Sequence, residues 1–237
     1  MAIPTRLVLN ARFEEIYFDS AVKNAALARH LRDSIRGQHG ALKWLDLYWL
    51  HEAWDLGDEI DPDLEDLARA EGALERLDEL FGMFLQASAA AEVFAVMTLE
   101  AHINCVASDG LTGATLGVFD RLSLEGKWLF LPRLLGKQPL DPGAQPFQDF
   151  AKLVQRRNRL VHTKSRDRIV SVLGGEAIEG YLEQLLDGAE RALDTVRGMG
   201  ERLAFLLGVP PPTWAKGVDA TYYHLIAEDL APNTECA

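Results

Sequence analysis

Apolar residues recur along most of the chain at the three- and four-residue spacing typical of helices, and glycine and proline separate the helical segments. Residues 11–36 form the first predicted helix, which we expect to end at Gly37. One short strand pattern covers residues 5–13. The pattern therefore predicts an all-α protein, and the short connections between amphipathic helices favour an up-down bundle.

A second helical pattern begins at Asp61 and Pro62, since an aspartate cap and a first-turn proline are typical of a helix start. It continues to about Ser108, which corresponds to roughly 45 residues or about 70 Å at 1.5 Å per residue. A domain of this size rarely needs so long a helix. We therefore expect a break near Gly82 or within the alanine-rich residues 87–91.

The next elements are shorter. Gly110 and Gly113 predict a loop, and Ser123 is a suitable N-cap for a helix that Pro132 should kink or restart. Residues 136–146 contain three prolines and two glycines, and they predict a loop.

Pro146 opens the next predicted helix, which covers residues 147–164. Residues 176–208 form a last long helix, weakened by four glycines, that the prolines at 210–212 end. Residues 217–230 predict a short terminal element. We divide the chain into an N-terminal helical segment, a bundle and a C-terminal extension, at residues 1–60, 61–208 and 209–237.

Composition is that of an ordinary globular protein, with 237 residues, 48% hydrophobic and 25% charged. Two widely spaced cysteines, Cys105 and Cys236, favour a reducing compartment. A basic, apolar leader and an uncharged apolar run of about 18 residues are both missing, so we expect a cytoplasmic protein without a membrane segment. Tryptophans at 44, 49 and 54 are interpreted as core anchors, with a base-stacking platform as the alternative.

The helix over residues 147–164 carries the candidate chemistry. At about 100° per residue it is amphipathic, with Arg156 and Arg159 on the solvated face. Arg157, Asn158 and His162 instead fall on the apolar side. Burial of an unpaired charge is costly. These residues therefore either form an internal polar cluster, with Arg157 on a buried carboxylate and Asn158 on backbone, or face a cleft or subunit interface.

A concentration of positive charge surrounds these residues although the chain carries a formal charge of −12. Seven of the 24 basic residues lie between Lys152 and Arg168, with one acid among them. Such a focused basic segment suits a phosphate or an RNA backbone. The candidate phosphate-binding residues in it are Lys152, Arg156, Arg159, Lys164 and Arg166.

Arg157, Asn158 and His162 match the Arg-x(4–6)-His motif of the HEPN superfamily (higher eukaryotes and prokaryotes nucleotide-binding domain), including the polar residue that often follows the arginine. The stretches LEAHIN, LEGKWLFLP and QPFQDFAKLVQRRNRLVH together resemble, in that order, a bacterial group of HEPN proteins. The resemblance covers about residues 92–165.

This resemblance implies a helical bundle that dimerises, so that two motifs form one composite cleft, and a metal-independent endoribonuclease activity of the toxin or defence type. Arg157 would hold the scissile phosphate, Asn158 would orient the histidine or the phosphate, and His162 would transfer a proton at the 2′-OH or the leaving oxygen. It implies no cofactor and no metal site. An antitoxin protein is a further possible partner, together with RNA.

Glu100 and Asn104 lie one turn apart on an otherwise apolar helix. They are interpreted either as an internal polar pair that satisfies Arg157 or Lys127, or as residues that position Arg157 or His162. Both interpretations predict that Glu100 approaches the helix of Arg157.

The alternative function is a non-catalytic HEPN dimer that binds nucleotide, RNA or a protein. Other enzyme classes find no support, because phosphate-binding glycine loops, GxSxG and clustered Cys/His sites are missing.

Overall fold

The computed structural model describes residues 12–42, 64–161 and 175–216, which form six α-helices and one 3-10 helix without a strand. The helices are α1 (Phe13–Leu42), α2 (Leu64–Gly110), α3 (Gly113–Phe119), α4 (Leu124–Leu134), α5 (Phe147–Val161), α6 (Gly175–Leu207) and the 3-10 helix Thr213–Lys216. The predicted all-α class is confirmed. The HEPN-like form of the bundle and the three-part division of the chain stay predictions.

Several predicted features lie outside the described residues: the strand pattern up to residue 11, the tryptophan-rich segment, the Asp61-Pro62 start and the element at 217–230. Phe13, the last residue of the strand pattern, begins α1. The helix that was expected to start at Asp61-Pro62 is described from Leu64 onwards.

α1, α2 and α6 form the body of the fold. Phe18 of α1 lies in one core cluster with Ile103 of α2, whereas Ile35 lies in a second cluster with Leu77. α1 and α2 are therefore antiparallel. The second cluster also contains Leu182 near the start of α6, so α6 runs in the direction of α2.

The expected break in α2 is wrong, because the helix is continuous over 47 residues, or about 70 Å. Ala87 and Ala91, within the stretch where a break was predicted, are buried, as are Ala21 and Ala25 of α1. Small side chains on both helices let their backbones approach, and this packing sustains the helix.

The expected end of α1 at Gly37 is also wrong, because the helix continues to Leu42. A glycine inside a helix costs about 1 kcal/mol but does not by itself end it. Pro132 lies within the last turn of α4, which ends at Leu134. The helix therefore does not begin again after this proline. The Ser123 cap is confirmed, since its side chain accepts a hydrogen bond from the Gly126 N–H at 3.1 Å.

Between Glu75 and Gly110, α2 is long and apolar enough to cross a membrane, with a mean hydropathy of 1.6 over a window of 18 residues. The central helix of a soluble bundle meets the same criteria, and Leu99 and Ile103 of this stretch are buried in the core. The cytoplasmic location therefore stays a prediction.

An ion pair joins α5 to the two long helices beneath it. Arg156 Nε donates to Glu92 Oε1 of α2 at 3.1 Å, and its Nη2 lies 3.5 Å from the carbonyl oxygen of Gly188 in α6. The Glu92 side chain is 10% exposed and that of Arg156 is 36% exposed. Arg156 thus keeps partial exposure, as the helical pattern predicts, and its guanidinium also holds α5 against α2 and α6.

Gly188→Ala should destabilise the protein by about 1–2 kcal/mol, although alanine is the better helix former. A Cβ at this position would lie 2.7 Å from Glu92 Oε1, the oxygen that Arg156 Nε binds, so the ion pair must shift to make room. Gly180→Ala on the same helix is the control, because nothing lies within 4 Å of its Cβ, and it should stabilise by about 0.5–1 kcal/mol. Urea unfolding measures both, and equal effects at the two positions would contradict the packing described.

Candidate functional site

The orientation of α5 decides which of its polar residues reach the surface. Phe150, Leu153 and Val154 are buried against the bundle, as the amphipathic pattern predicts. Pro146, just before α5, lies against Gly198 of α6, and the Arg156 ion pair holds the other half of the helix. Both contacts fix the rotation of α5.

Arg157 lies at the edge of the core, with a side chain that is 25% exposed. Its Nη2 lies 3.6 Å from Glu100 Oε2, and its Nη1 donates to Asn158 Oδ1 at 3.0 Å. The predicted approach of Glu100 to α5 is confirmed. The pair is a weak one energetically, because the Glu100 side chain is 43% exposed and water screens both charges.

The interpretation of an internal polar cluster does not describe these residues. Glu100 is not a buried carboxylate, and the Asn158 side chain binds Arg157 rather than backbone. The guanidinium and the amide instead form a small polar surface, which we call the Arg157 surface: Arg157, Asn158 and Glu100.

The third residue of the motif, His162, lies outside the described residues, as do Lys164 and Arg166. α5 is described to Val161, the residue directly before the histidine. The pairing of Arg157 with His162 therefore stays a prediction from the sequence.

Asn104 accepts a hydrogen bond from Lys127, whereas Glu100 lies beside Arg157. Lys127 Nζ of α4 donates to Asn104 Oδ1 at 2.9 Å and lies 5.7 Å from the centre of the Phe119 ring. Lys127 is a buried residue, so this hydrogen bond offsets part of the cost of burying its charge. Asn104 thus supports the bundle rather than the Arg157 surface.

The described candidates for phosphate binding are partly neutralised by carboxylates. Lys152 lies 3.6 Å from Asp149 one turn away, and Arg156 is engaged with Glu92. Arg159 is exposed on the last turn of α5. The role of these three residues as phosphate ligands stays a prediction, and Arg156 could take it only by sharing its guanidinium with Glu92.

Sequence reasoning missed a cleft of about 570 Å³ between the start of α1, the last turns of α2 and α6, and residues 209–214. Trp214 lies in its wall and also packs on Phe18, with ring centres 5.5 Å apart. The sequence placed Trp214 in an extension, because nothing local shows that the chain after the prolines returns to the core.

His102, to which the sequence assigned no role, lies in this cleft between two indoles. Its ring centre is 6.3 Å from that of Trp128 and 5.2 Å from that of Trp214. Burial lowers the pKa of His102 from 6.5 to about 4. The imidazole is therefore neutral at pH 7.

Cys105 is a free, exposed thiol beside His102 in the cleft. Partial burial and the nearby carboxylates of Glu14 and Asp109 raise its pKa. A thiol with a raised pKa is a poor nucleophile at neutral pH. Among the described residues no group of three or more His, Cys, Asp or Glu could hold a metal ion.

Arg156→Gln should cost about 1–3 kcal/mol of unfolding free energy, because it leaves the Glu92 carboxylate buried without its cation. Arg157→Gln, the neighbouring control, should change the unfolding free energy by about 0.5 kcal/mol or less, since its partner is half-exposed. Urea unfolding at pH 7 compares them. A larger loss from Arg157→Gln would show that the roles of the two arginines are reversed.

Acid should destabilise the protein through His102. The unfolded imidazole takes up a proton near pH 6.5 and the folded one near pH 4, so the unfolded state binds more protons between these values. The stabilisation is complete above pH 6.5 and is lost as the pH falls to 4, by up to about 3 kcal/mol.

Urea unfolding of wild type and His102→Gln at several pH values tests this expectation, with His30→Gln on α1 as the control. The His102 variant should lose this part of the pH dependence, and the His30 variant should keep it. Parallel curves for wild type and His102→Gln would contradict the burial of a neutral imidazole.

Comparison with known proteins gives no match: no family model, no curated protein and no solved structure is similar to this chain. The HEPN resemblance consequently stays a prediction. The functional assignment that follows comes from the chain's own motif residues and their contacts.

Proposed function

We propose that the protein is a metal-independent endoribonuclease of the HEPN type that acts as a homodimer. The observation that carries the proposal is the Arg157 surface, where a motif arginine reaches solvent at the end of α5 and is held by Glu100 and Asn158. A purely structural arginine would be expected to bind a buried carboxylate, as Arg156 binds Glu92, whereas the carboxylate beside Arg157 is 43% exposed.

The proposed chemistry uses the RNA as its own nucleophile. The ribose 2′-oxygen loses its proton and attacks the adjacent phosphorus, and the bond to the 5′-oxygen breaks, leaving a 2′,3′-cyclic phosphate and a 5′-OH. His162 transfers a proton at the 2′-OH or at the leaving oxygen. Arg157 binds the phosphate oxygens on which negative charge develops.

Arg157 has the hydrogen-bonding capacity for this role. A guanidinium carries five N–H donors in a planar fork, and the contacts described engage only Nη1 with Asn158 and Nη2, loosely, with Glu100. Its orientation is therefore set while donors remain for a phosphate. Glu100 serves as a positioning residue, and Asn158 fixes the plane of the fork.

The end of α5 also suits contact with a second copy. Leu160 and Val161 continue the apolar side of the helix beyond the core, and Val161 is 56% exposed. Exposed apolar residues beside a polar site are typical of interfaces. In a two-fold dimer this end of α5 would meet its equivalent and bring two Arg157 surfaces together.

The second candidate, a non-catalytic dimeric scaffold that binds nucleotide, RNA or protein, is favoured by a different observation. Carboxylates lie beside three cations of α5, at Lys152, Arg156 and Arg157, and the chain carries a formal charge of −12. Such a surface attracts a polyanion weakly. The nuclease must then act on a narrow target, as a toxin restrained by an antitoxin protein would.

RNA cleavage in EDTA by the purified protein tests the nuclease. Wild type should cleave, and both Arg157→Ala and His162→Ala should lose at least about 100-fold of the rate, because each removes a group needed in the transition state. Arg191→Ala is the matched control, since it removes an exposed arginine of α6 that pairs with Asp187. The products should carry 2′,3′-cyclic phosphate ends.

The outcomes separate the two candidates. Cleavage that survives in Arg157→Ala would assign the activity to another site or to a contaminant. No cleavage of total RNA or tRNA, together with RNA binding that Arg157→Ala weakens, would favour the scaffold.

A further inference from the structure

The cleft beside α1 is a second site, independent of the proposed nuclease, since neither Arg157 nor Glu100 lines it. At about 570 Å³ it has the size of pockets that hold small molecules. Its walls come from four separate parts of the chain. Trp214 and Phe13 supply aromatic surface, and Leu207 and Val209 supply aliphatic surface.

One carboxylate of this cleft has no partner among the residues that the structure describes. Glu14 is 9% exposed and lines the cleft, and it makes no hydrogen bond or ion pair within the part of the chain that the structure describes. A mostly buried carboxylate is normally paired, because removing its charge from water is costly. Among the described residues, Glu14 is therefore a carboxylate of the cleft wall that no neighbouring cation neutralises.

The other charges around the cleft leave it negative. Asp109 lies in the same lining, and His102 is neutral at pH 7. Among the described residues of the lining the cation is Arg12, but it is directed to Glu15, at 3.7 Å, and most of its side chain is in solvent. The pKa of Cys105 agrees, because Glu14 and Asp109 raise it more than Arg12 lowers it.

We propose that this cleft binds a small amphipathic organic cation, with its apolar body against Trp214 and Phe13 and its protonated amine at Glu14 and Asp109. The aromatic faces favour a cation as well as an apolar ring. The occupant is a small molecule rather than a protein segment, because Glu14 lines a cavity of ligand size rather than a flat face.

Isothermal titration calorimetry with two matched probes tests the proposal. 2-Phenylethylamine carries an ammonium group where 3-phenylpropanoate carries a carboxylate, on the same ring and spacer. The amine should bind at millimolar concentration or below and at least about tenfold more tightly than the acid, as expected for a charge-assisted contact. Its binding should perturb the indole N–H signal of Trp214, assigned by its loss in Trp214→Phe.

Glu14→Gln should weaken binding of the amine about tenfold, whereas Glu75→Gln, a change to an exposed carboxylate on α2, should not alter it. Ala101→Leu fills the cleft without touching a charge and should abolish binding, with circular dichroism showing that each variant is folded.

Three outcomes would overturn the proposal: equal binding of amine and acid, unchanged affinity in Glu14→Gln, or no binding of the amine to wild type at millimolar concentration. RNA cleavage is expected to be unaffected by Glu14→Gln. Failure of the nuclease proposal and failure of the cleft proposal are thus distinguishable.

Discussion

The ion pair between Glu92 and Arg156 is the contact on which the arrangement of α5 depends. Burial raises the pKa of Glu92, and the Arg156 guanidinium lowers it in part, so the carboxylate is held in a place that disfavours its charge. A short helix resting on two long ones could rotate or slide. Arg156 prevents this because it binds α2 through Glu92 and α6 through the carbonyl of Gly188, and the next residue, Arg157, then lies beside Glu100 of α2.

Elements whose sequence signals lie within a few residues could be predicted from local physical chemistry. The Ser123 cap, the loop at 136–146 and the start of α5 after Pro146 follow from side-chain capping and from the restrictions of proline. The end of α1 predicted at Gly37 and the break in α2 predicted near Gly82 or residues 87–91 were wrong for the same reason. Gly37 and residues 87–91 look weak in isolation, but α1 and α2 pack on each other over most of their length.

The site was predictable where one helix decides it and not where several meet. The position of Glu100 opposite Arg157 follows from two helical patterns that each bury an apolar face. The Arg156–Glu92 ion pair was not predicted, because a helical wheel gives one buried direction, whereas α5 contacts both α2 and α6. The cleft could not be predicted from the sequence, because Glu14, His102 and Trp214 are far apart along the chain and only the fold brings them together.

The balance of charge limits what the Arg157 surface can recognise. A protein that binds nucleic acid by charge alone needs several free cations along the backbone. Here α5 offers Arg157 held by a half-exposed carboxylate, while Arg156 serves the fold. Under the proposed function, RNA binding would therefore depend on the shape and bases of a particular RNA, or on the cations of a second copy placed beside the first. The second route would make the proposed dimer contact at the end of α5 part of substrate recognition rather than an addition to it.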